Sequence, residues 1–271
     1  MSVQQPGRPL RPVQGEPPCA RTDMLETVRT ALSNRAAALA FQPVVRSCAP
    51  HLPAFFEGLI RLSDPMGRIL PARDFIELVE GTELGAAIDT LALDLGLAAL
   101  RSHPGLRLAV NMSTHSIGAR DWCDTLRRGL AADPTVGERL ILEVTESSAM
   151  GQPERVAAFM RDLNHCGVAF ALDDFGAGAT SFRYLRDFRF DIVKIDGQFI
   201  GGLGDNADNQ VLVRAMVSIA RHFEMLTVGE KVETAADTAA CAEFGLNCLQ
   251  GYHFGAPALR PDWDQSARLT A

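Results

Sequence analysis

The sequence predicts an α/β barrel in which strands and helices alternate, and three observations carry that reading. Short apolar runs recur with helical patterns between them, the mark of parallel strands joined by helices. The runs end on polar residues: Leu108–Val110 on Asn111, Leu140–Leu142 on Glu143, Val168–Leu172 on Asp173 and Asp174, Asp191–Val193 on Lys194, and Leu226–Gly229 on Glu230. The length of 271 residues fits one α/β barrel of ordinary size or two small domains. Carboxylates at the carboxyl ends of such strands mark a site at the barrel mouth.

Taken in chain order, residues 1–21 are rich in Pro, Gln, Gly and Arg and predict a disordered tail. From residue 22 to 271 the chain reads as one globular domain, with no second linker and no repeat. A helix is expected from Asp23 to about Ala38, with Asp23 as its N-cap. Strands are expected over Ala40–Val45 and over Leu52–Leu62, the second carrying Glu57 and Arg61. Asp74 to about Leu100 reads as helix, in one or two pieces. Pro153 suits a helix start, and Gly167 a helix stop. Val211, Leu212, Ala215, Met216, Ile219 and Phe223 form an apolar helix stripe expected to pack on the sheet. Thr234 with Asp237 resembles a capping box, and Gly245 ends that helix.

A net charge of -7 argues against a protein that coats nucleic acid, which needs a basic surface. It leaves a small phosphate substrate open, because bound metal ions reverse the local field. The six cysteines form no CxxC pair and read as reduced thiols in a cytoplasmic protein. No secretory signal opens the chain, and no run reaches the roughly 20 apolar residues of a membrane span.

The strand ends bring Glu57, Asn111, Glu143, Asp173, Asp174, Lys194 and Glu230 toward one mouth. Carboxylates so placed repel one another, and hard divalent cations such as Mg²⁺ or Mn²⁺ relieve the repulsion through oxygen ligands. Adjacent Asp173 and Asp174 suit a two-metal arrangement for displacement at phosphorus. Each feature alone has a plain reading: a strand-end Glu as a cap, Lys194 with Asp196 as a surface ion pair, Asn111 and Ser113 as turn formers.

A series of motifs then resembles the EAL-domain phosphodiesterases of cyclic di-GMP. In order these are Phe41-Gln42-Pro43-Val44-Val45, Glu57-Gly58-Leu59-Ile60-Arg61, Asn111-Met112-Ser113 and Glu143-Val144-Thr145-Glu146. Asp173-Asp174-Phe175-Gly176-Ala177-Gly178, Lys194-Ile195-Asp196, Glu230-Lys231-Val232-Glu233-Thr234 and Gln250-Gly251-Tyr252 follow. The resemblance runs from about Asp23 to Pro257. It implies a modified (β/α)8 barrel with one antiparallel strand, the first. It also implies one metal held by Glu57, Asn111, Glu143 and Asp173, and a second served by Asp174 with Asp173 and Glu230. Lys194 would hydrogen-bond the attacking water, with Glu230 and Asp196 beside it as catalytic groups. Arg61 would hold a substrate phosphate, Gln42 and Gln250 would seat the substrate, and Glu233 would anchor the loop after Asp174. The reaction implied opens one phosphodiester of cyclic di-GMP to give linear pGpG. A homodimer and a regulatory protein partner are further implications.

The sequence departs from the family at several points. Gly58 replaces Ala, which loosens the strand. Ala177 and Ala179 remove a hydroxyl and an aromatic ring from the loop after Asp174. Lys231 replaces Gly beside Glu230, where its charge either weakens the second metal or points to solvent. Ala256 replaces a basic residue. Three alternatives stand beside the phosphodiesterase: a silent receptor for the same nucleotide, a protein-interaction module, and an unrelated metal hydrolase on the same fold. A His-dependent hydrolase is disfavoured, because none of the six His residues adjoins an Asp. The N-terminal tail is too short for a sensor, cyclase or DNA-binding domain, so any regulation is expected through the dimer, a partner or expression.

Overall fold

Eight strands close into a ring. In the computed structural model, residues 18–178 and 185–261 are described. The strands are β1 (Ala37–Arg46), β2 (Ala49–Ser63), β3 (Ile69–Pro71), β4 (Leu108–Asn111), β5 (Leu140–Thr145), β6 (Ala169–Phe175), β7 (Ile192–Ile195), β8 (Leu226–Gly229) and β9 (Cys248–Gln250). The sheet order is β1-β9-β8-β7-β6-β5-β4-β2-β3, and pairing of β1 with β2 closes the ring, leaving β3 outside on the edge of β2. β1 runs antiparallel to both neighbours, and the other ring strands are parallel. The expected barrel, with its first strand reversed, is therefore the observed one.

The helices lie outside the ring: α1 (Pro18–Ser33), α2 (Ile76–Val79), α3 (Glu83–Ser102), α4 (Arg120–Ala132), α5 (Glu146–Gly151), α6 (Pro153–Asn164), α7 (Gly197–Ile200), α8 (Ala207–His222) and α9 (Ala235–Glu243). The expected tail lies outside the described residues through residue 17, and α1 claims its last four positions. Asp23 is thus not an N-cap but an interior residue, whose carbonyl accepts from Thr27. The helix also stops short of Ala38, because the alanine-rich stretch after Arg35 pairs with β2. Tertiary pairing overrides helix propensity there. The helical stretch after Asp74 does break, at Gly81 with φ +75°. Gly167 and Gly245 end their helices at φ +76° and +83° as expected, and Thr234 caps α9 by accepting from the Asp237 amide at 3.0 Å.

The stripe expected on α8 is rotated. Val211 and Leu212 are 65% and 45% exposed, whereas Val213, Met216, Val217 and Ala220 are buried. Gly58 of β2 faces close neighbours. A Cβ there would lie 3.2 Å from Leu39 and 3.3 Å from Leu108, so glycine relieves crowding against the outer core.

One apolar layer positions everything that follows. Inside the ring, Val44, Phe55, Ala109, Ile141, Ala171, Ile192, Val228 and Cys248 form a cluster separate from the outer core. Each comes from a different strand of the ring. They plug the barrel axis.

Candidate active site

Strand side chains alternate between faces, so the residue two places along from each plug residue also faces inward. Applied to the plug, that rule gives Gln42, Glu57, Asn111, Glu143, Asp173, Lys194, Glu230 and Gln250. For the reversed β1 the step runs from Val44 back to Gln42, and Glu230 lies just past the end of β8. The second layer is therefore a polar ring on an apolar floor. All eight residues belong to the set expected from the sequence.

Lys194 sits among them, 1% exposed. Its Nζ lies 2.9 Å from Asp173 Oδ1, 3.0 Å from Glu230 Oε1, 3.1 Å from Glu143 Oε2 and 3.3 Å from Glu57 Oε2. Burial disfavours the ammonium, but these four carboxylates outweigh it and hold its pKa well above the ordinary lysine value. Lys194 therefore stays an ammonium and acts as a hydrogen-bond donor.

Glu57 has the richest set of partners. Its Oε1 accepts from Asn111 Nδ2 at 2.8 Å and its Oε2 from Gln250 Nε2 at 2.6 Å. Gln250 also donates to Gln42 Oε1, and Gln42 donates to the Gly255 carbonyl, both at 3.2 Å. Burial alone would raise the Glu57 pKa, but Lys194, Gln250 and Asn111 together lower it below the usual carboxyl value. Glu57 therefore keeps its charge. Glu143 and Glu230 behave oppositely. Burial first, with the charges of Asp173 and Glu57 added, raises Glu143 well above its ordinary value and pushes Glu230 to about 8.

Asp174 reaches the mouth by a different route. The pairing of β6 with β7 shifts register between Leu172 and Phe175, and Asp174 takes φ +55°. This bulge turns Asp174 out of the strand alternation and beside its neighbour. Carboxylate oxygens of Asp173, Asp174 and Glu230 then lie within 4.8 Å of one another. Among the described residues, Glu143 Oε1, Asp173 Oδ1 and Gln250 Oε1 are buried without a hydrogen-bond partner. Asp173 Oδ1 is close to Lys194 but outside hydrogen-bonding direction. Orphaned carboxylate oxygens in an all-oxygen donor set fit a hard divalent cation.

A cleft of about 360 Å³ opens above Glu57, Asp173, Asp174, Lys194, Glu230 and Gln250. A second cavity of about 560 Å³ adjoins it and shares Glu57, Asp173, Asp174 and Lys231. Tyr252 stands at the rim of the first, 63% exposed.

Three expected residues sit apart from the ring. Arg61 lines neither cavity, and its guanidinium donates to the Ile60 carbonyl at 3.0 Å. Asp196 caps α7 by accepting from the Gln198 amide at 2.8 Å. It pairs with Lys231, not Lys194. Glu233 is exposed at the cleft, and residues 179–184 of the loop it was expected to anchor lie outside the described residues.

One residue was missed in its role. Glu146 is 1% exposed, and its Oε2 accepts from the Gly176 amide at 2.9 Å. It thereby ties the turn after Asp174 to the start of α5. Its offset of three from Glu143, across a strand-to-helix junction, was the available signal.

The profile of the EAL domain matches residues 25–257. The chain belongs to the EAL domain family. It is 32% identical over 240 residues to the "Bifunctional diguanylate cyclase/cyclic di-GMP phosphodiesterase MucR" of Pseudomonas aeruginosa, covering 86% of this chain and 35% of that protein. It is 31% identical over 226 residues to the "Cyclic di-GMP phosphodiesterase PdeB" of Shewanella oneidensis, covering 81% of this chain and 26% of that protein. The chain thus spans about a third or less of the length of these relatives. Among solved structures, "PaMucR Phosphodiesterase, c-di-GMP complex" superposes with a TM-score of 0.77 at 32% identity, covering 87% of this chain and 97% of that one. The FimX EAL domain of Pseudomonas aeruginosa shares the fold, with a TM-score of 0.81 at 24% identity over 89% and 99% of the chains. Among the described residues, no helix is long and apolar enough to cross a membrane.

Proposed function

We propose that this EAL domain hydrolyses cyclic di-GMP to linear pGpG. The observation that carries the reading is the complete polar ring around Lys194, set on an apolar floor and opening into the shared cleft. Relatives named as cyclic di-GMP phosphodiesterases support it.

Glu57, Asn111, Glu143 and Asp173 would hold one Mg²⁺ or Mn²⁺ ion, and Asp174, Asp173 and Glu230 a second. When bound, such ions supply Lewis acidity and lower the pKa of a coordinated water. The chain's own residues do the rest. Lys194, fixed as an ammonium, donates a hydrogen bond to the attacking water or to charge growing on the phosphoryl oxygens. Glu230 and Asp196 would serve as catalytic carboxylates, Glu230 through its 3.0 Å contact with Lys194 and Asp196 from its ion pair with Lys231. Gln42 and Gln250, already hydrogen-bonded to each other, seat the substrate at the wall. Arg61 takes a phosphate after leaving its strand backbone, and Glu233 anchors the loop after Asp174. Tyr252 offers an exposed ring to a purine face.

The barrel acts as one domain over residues 22–271, and we place it in the cytoplasm as a homodimer open to a regulatory protein partner; these settings follow the family resemblance. Purified protein should convert cyclic di-GMP to pGpG with Mg²⁺ or Mn²⁺ in a chromatographic assay, and Glu57→Ala should abolish conversion. No conversion with either metal would refute the reading. Tight nucleotide binding without turnover would establish the second one, a silent receptor, which the cation Lys231 on the cleft favours.

A further inference from the structure

Lys231 is an unusual occupant of its position. Its backbone has φ +52°, a left-handed conformation that glycine adopts freely and other residues only at a cost. The side chain crosses Gly197 closely: a Cβ on Gly197 would lie 2.4 Å from Lys231 Cδ and 2.6 Å from its Cβ. The ammonium ends 3.2 Å from Asp196 Oδ2, on a side chain 65% exposed against 10% for Asp196. Lys231 also lines both cavities, beside Asp173 and Asp174. A strained backbone, a bare glycine beneath the stem and a buried acid at its tip together hold one positive charge at the edge of the acid cluster.

We propose that Lys231 is a tethered cation that weakens the second divalent-ion site, formed by Asp174, Asp173 and Glu230, and supplies part of the charge that ion would bring. Coulomb repulsion between an ammonium and a divalent ion acts across the edge of the cleft, reduced but not removed by solvent around the 65% exposed lysine side chain. Asp196 would otherwise add its negative charge to Asp174, and the ion pair cancels that contribution. Lys231 is a positioning residue here: it acts on the ion and its ligands, with no contact to the reacting bond.

The inference rests on the metal reading above, and one experiment separates the two. Mn²⁺ is titrated into the full chain and free hexaaqua Mn²⁺ is read by electron paramagnetic resonance. The wild type, Lys231→Met, Lys231→Arg and Lys231→Gly are compared. Lys231→Met should tighten the weaker Mn²⁺ by roughly tenfold, and Lys231→Arg should stay within about twofold of wild type. Lys231→Gly, which relieves the backbone and removes the charge, should match Lys231→Met. Equal affinities in all four proteins would overturn the inference and leave the metal site standing. A shift in Lys231→Gly alone would assign the effect to the backbone and also overturn it. No Mn²⁺ bound by any of the four would overturn the metal reading itself.

Discussion

Lys194 Nζ and Glu230 Oε1 meet at 3.0 Å inside the barrel, on neighbouring strand ends, with the lysine 1% exposed. The pair belongs to a set of four carboxylates around one ammonium, so charge in the ring is unbalanced. Raised pKa values at Glu143 and Glu230 answer that imbalance when no cation is bound. The predictions follow from how the imbalance is resolved.

Lys194→Met should abolish turnover and destabilise the chelated protein by about 3 kcal/mol or more, because buried carboxylates lose their counter-charge. Urea unfolding in chelator and in Mn²⁺ checks this. Saturating Mn²⁺ should recover part of the loss. Equal stability of mutant and wild type in chelator would contradict the central role given to Lys194.

The pH dependence has a defined sign. Glu230 has a folded pKa of about 8 against 4.5 unfolded, so the folded state binds the extra proton between these values. Its contribution to stability is full below 4.5 and is lost as pH rises through about 8. Glu143 acts in the same direction. The melting temperature of chelated protein should therefore fall from pH 5 toward pH 8, and Glu230→Gln should flatten the slope.

Cation uptake should release protons for the same reason, since Glu143 and Glu230 must ionise to serve as ligands. Calorimetric titration with Mn²⁺ near pH 7, repeated in buffers of different ionisation enthalpy, measures the number released. Apparent heats that do not depend on the buffer would contradict it.

Glu146→Ala should remove the acceptor for the Gly176 amide and cost about 1–3 kcal/mol at that turn. Hydrogen exchange at Gly176 should accelerate, while the plug strands keep wild-type protection. Turnover should drop as Asp174 loses its support.

Gly197→Ala should cost about 1–3 kcal/mol, because the new methyl overlaps the Lys231 stem. In a Lys231→Gly background the same change should be nearly neutral. A double-mutant cycle by thermal unfolding measures this coupling, and additive costs would contradict the packing described.

Sequence alone exposed much of this because period-two alternation is a rigid rule. Once Leu140–Leu142 is a strand, Glu143 must sit one layer above Ile141, and the same holds around the ring. Other features lacked a local signal. The strand start at Ala37 depends on pairing with Leu62 of β2, a partner 25 residues away that no local helix cue reports. On α8, Val211 and Leu212 match the helical period as well as the buried Val213 and Val217 do, and only docking on the sheet selects the face. Asp174 needs a bulge to reach the mouth, and Glu146 needs a partner amide thirty residues away.

The hydrogen bonds from Gln250 to Gln42 and Glu57 join β9 to β1 and β2 across 208 and 193 residues of chain. A ribosome making this protein therefore finishes the first two ring strands long before the strand that closes them exists. Until β9 emerges, β1 presents an unpaired edge and Glu57 lacks the 2.6 Å hydrogen bond from Gln250. Such long-range closure makes folding slow and leaves the nascent chain in need of shielding. The polar ring around Lys194 is therefore completed in one late step, when Gln250 arrives with β9.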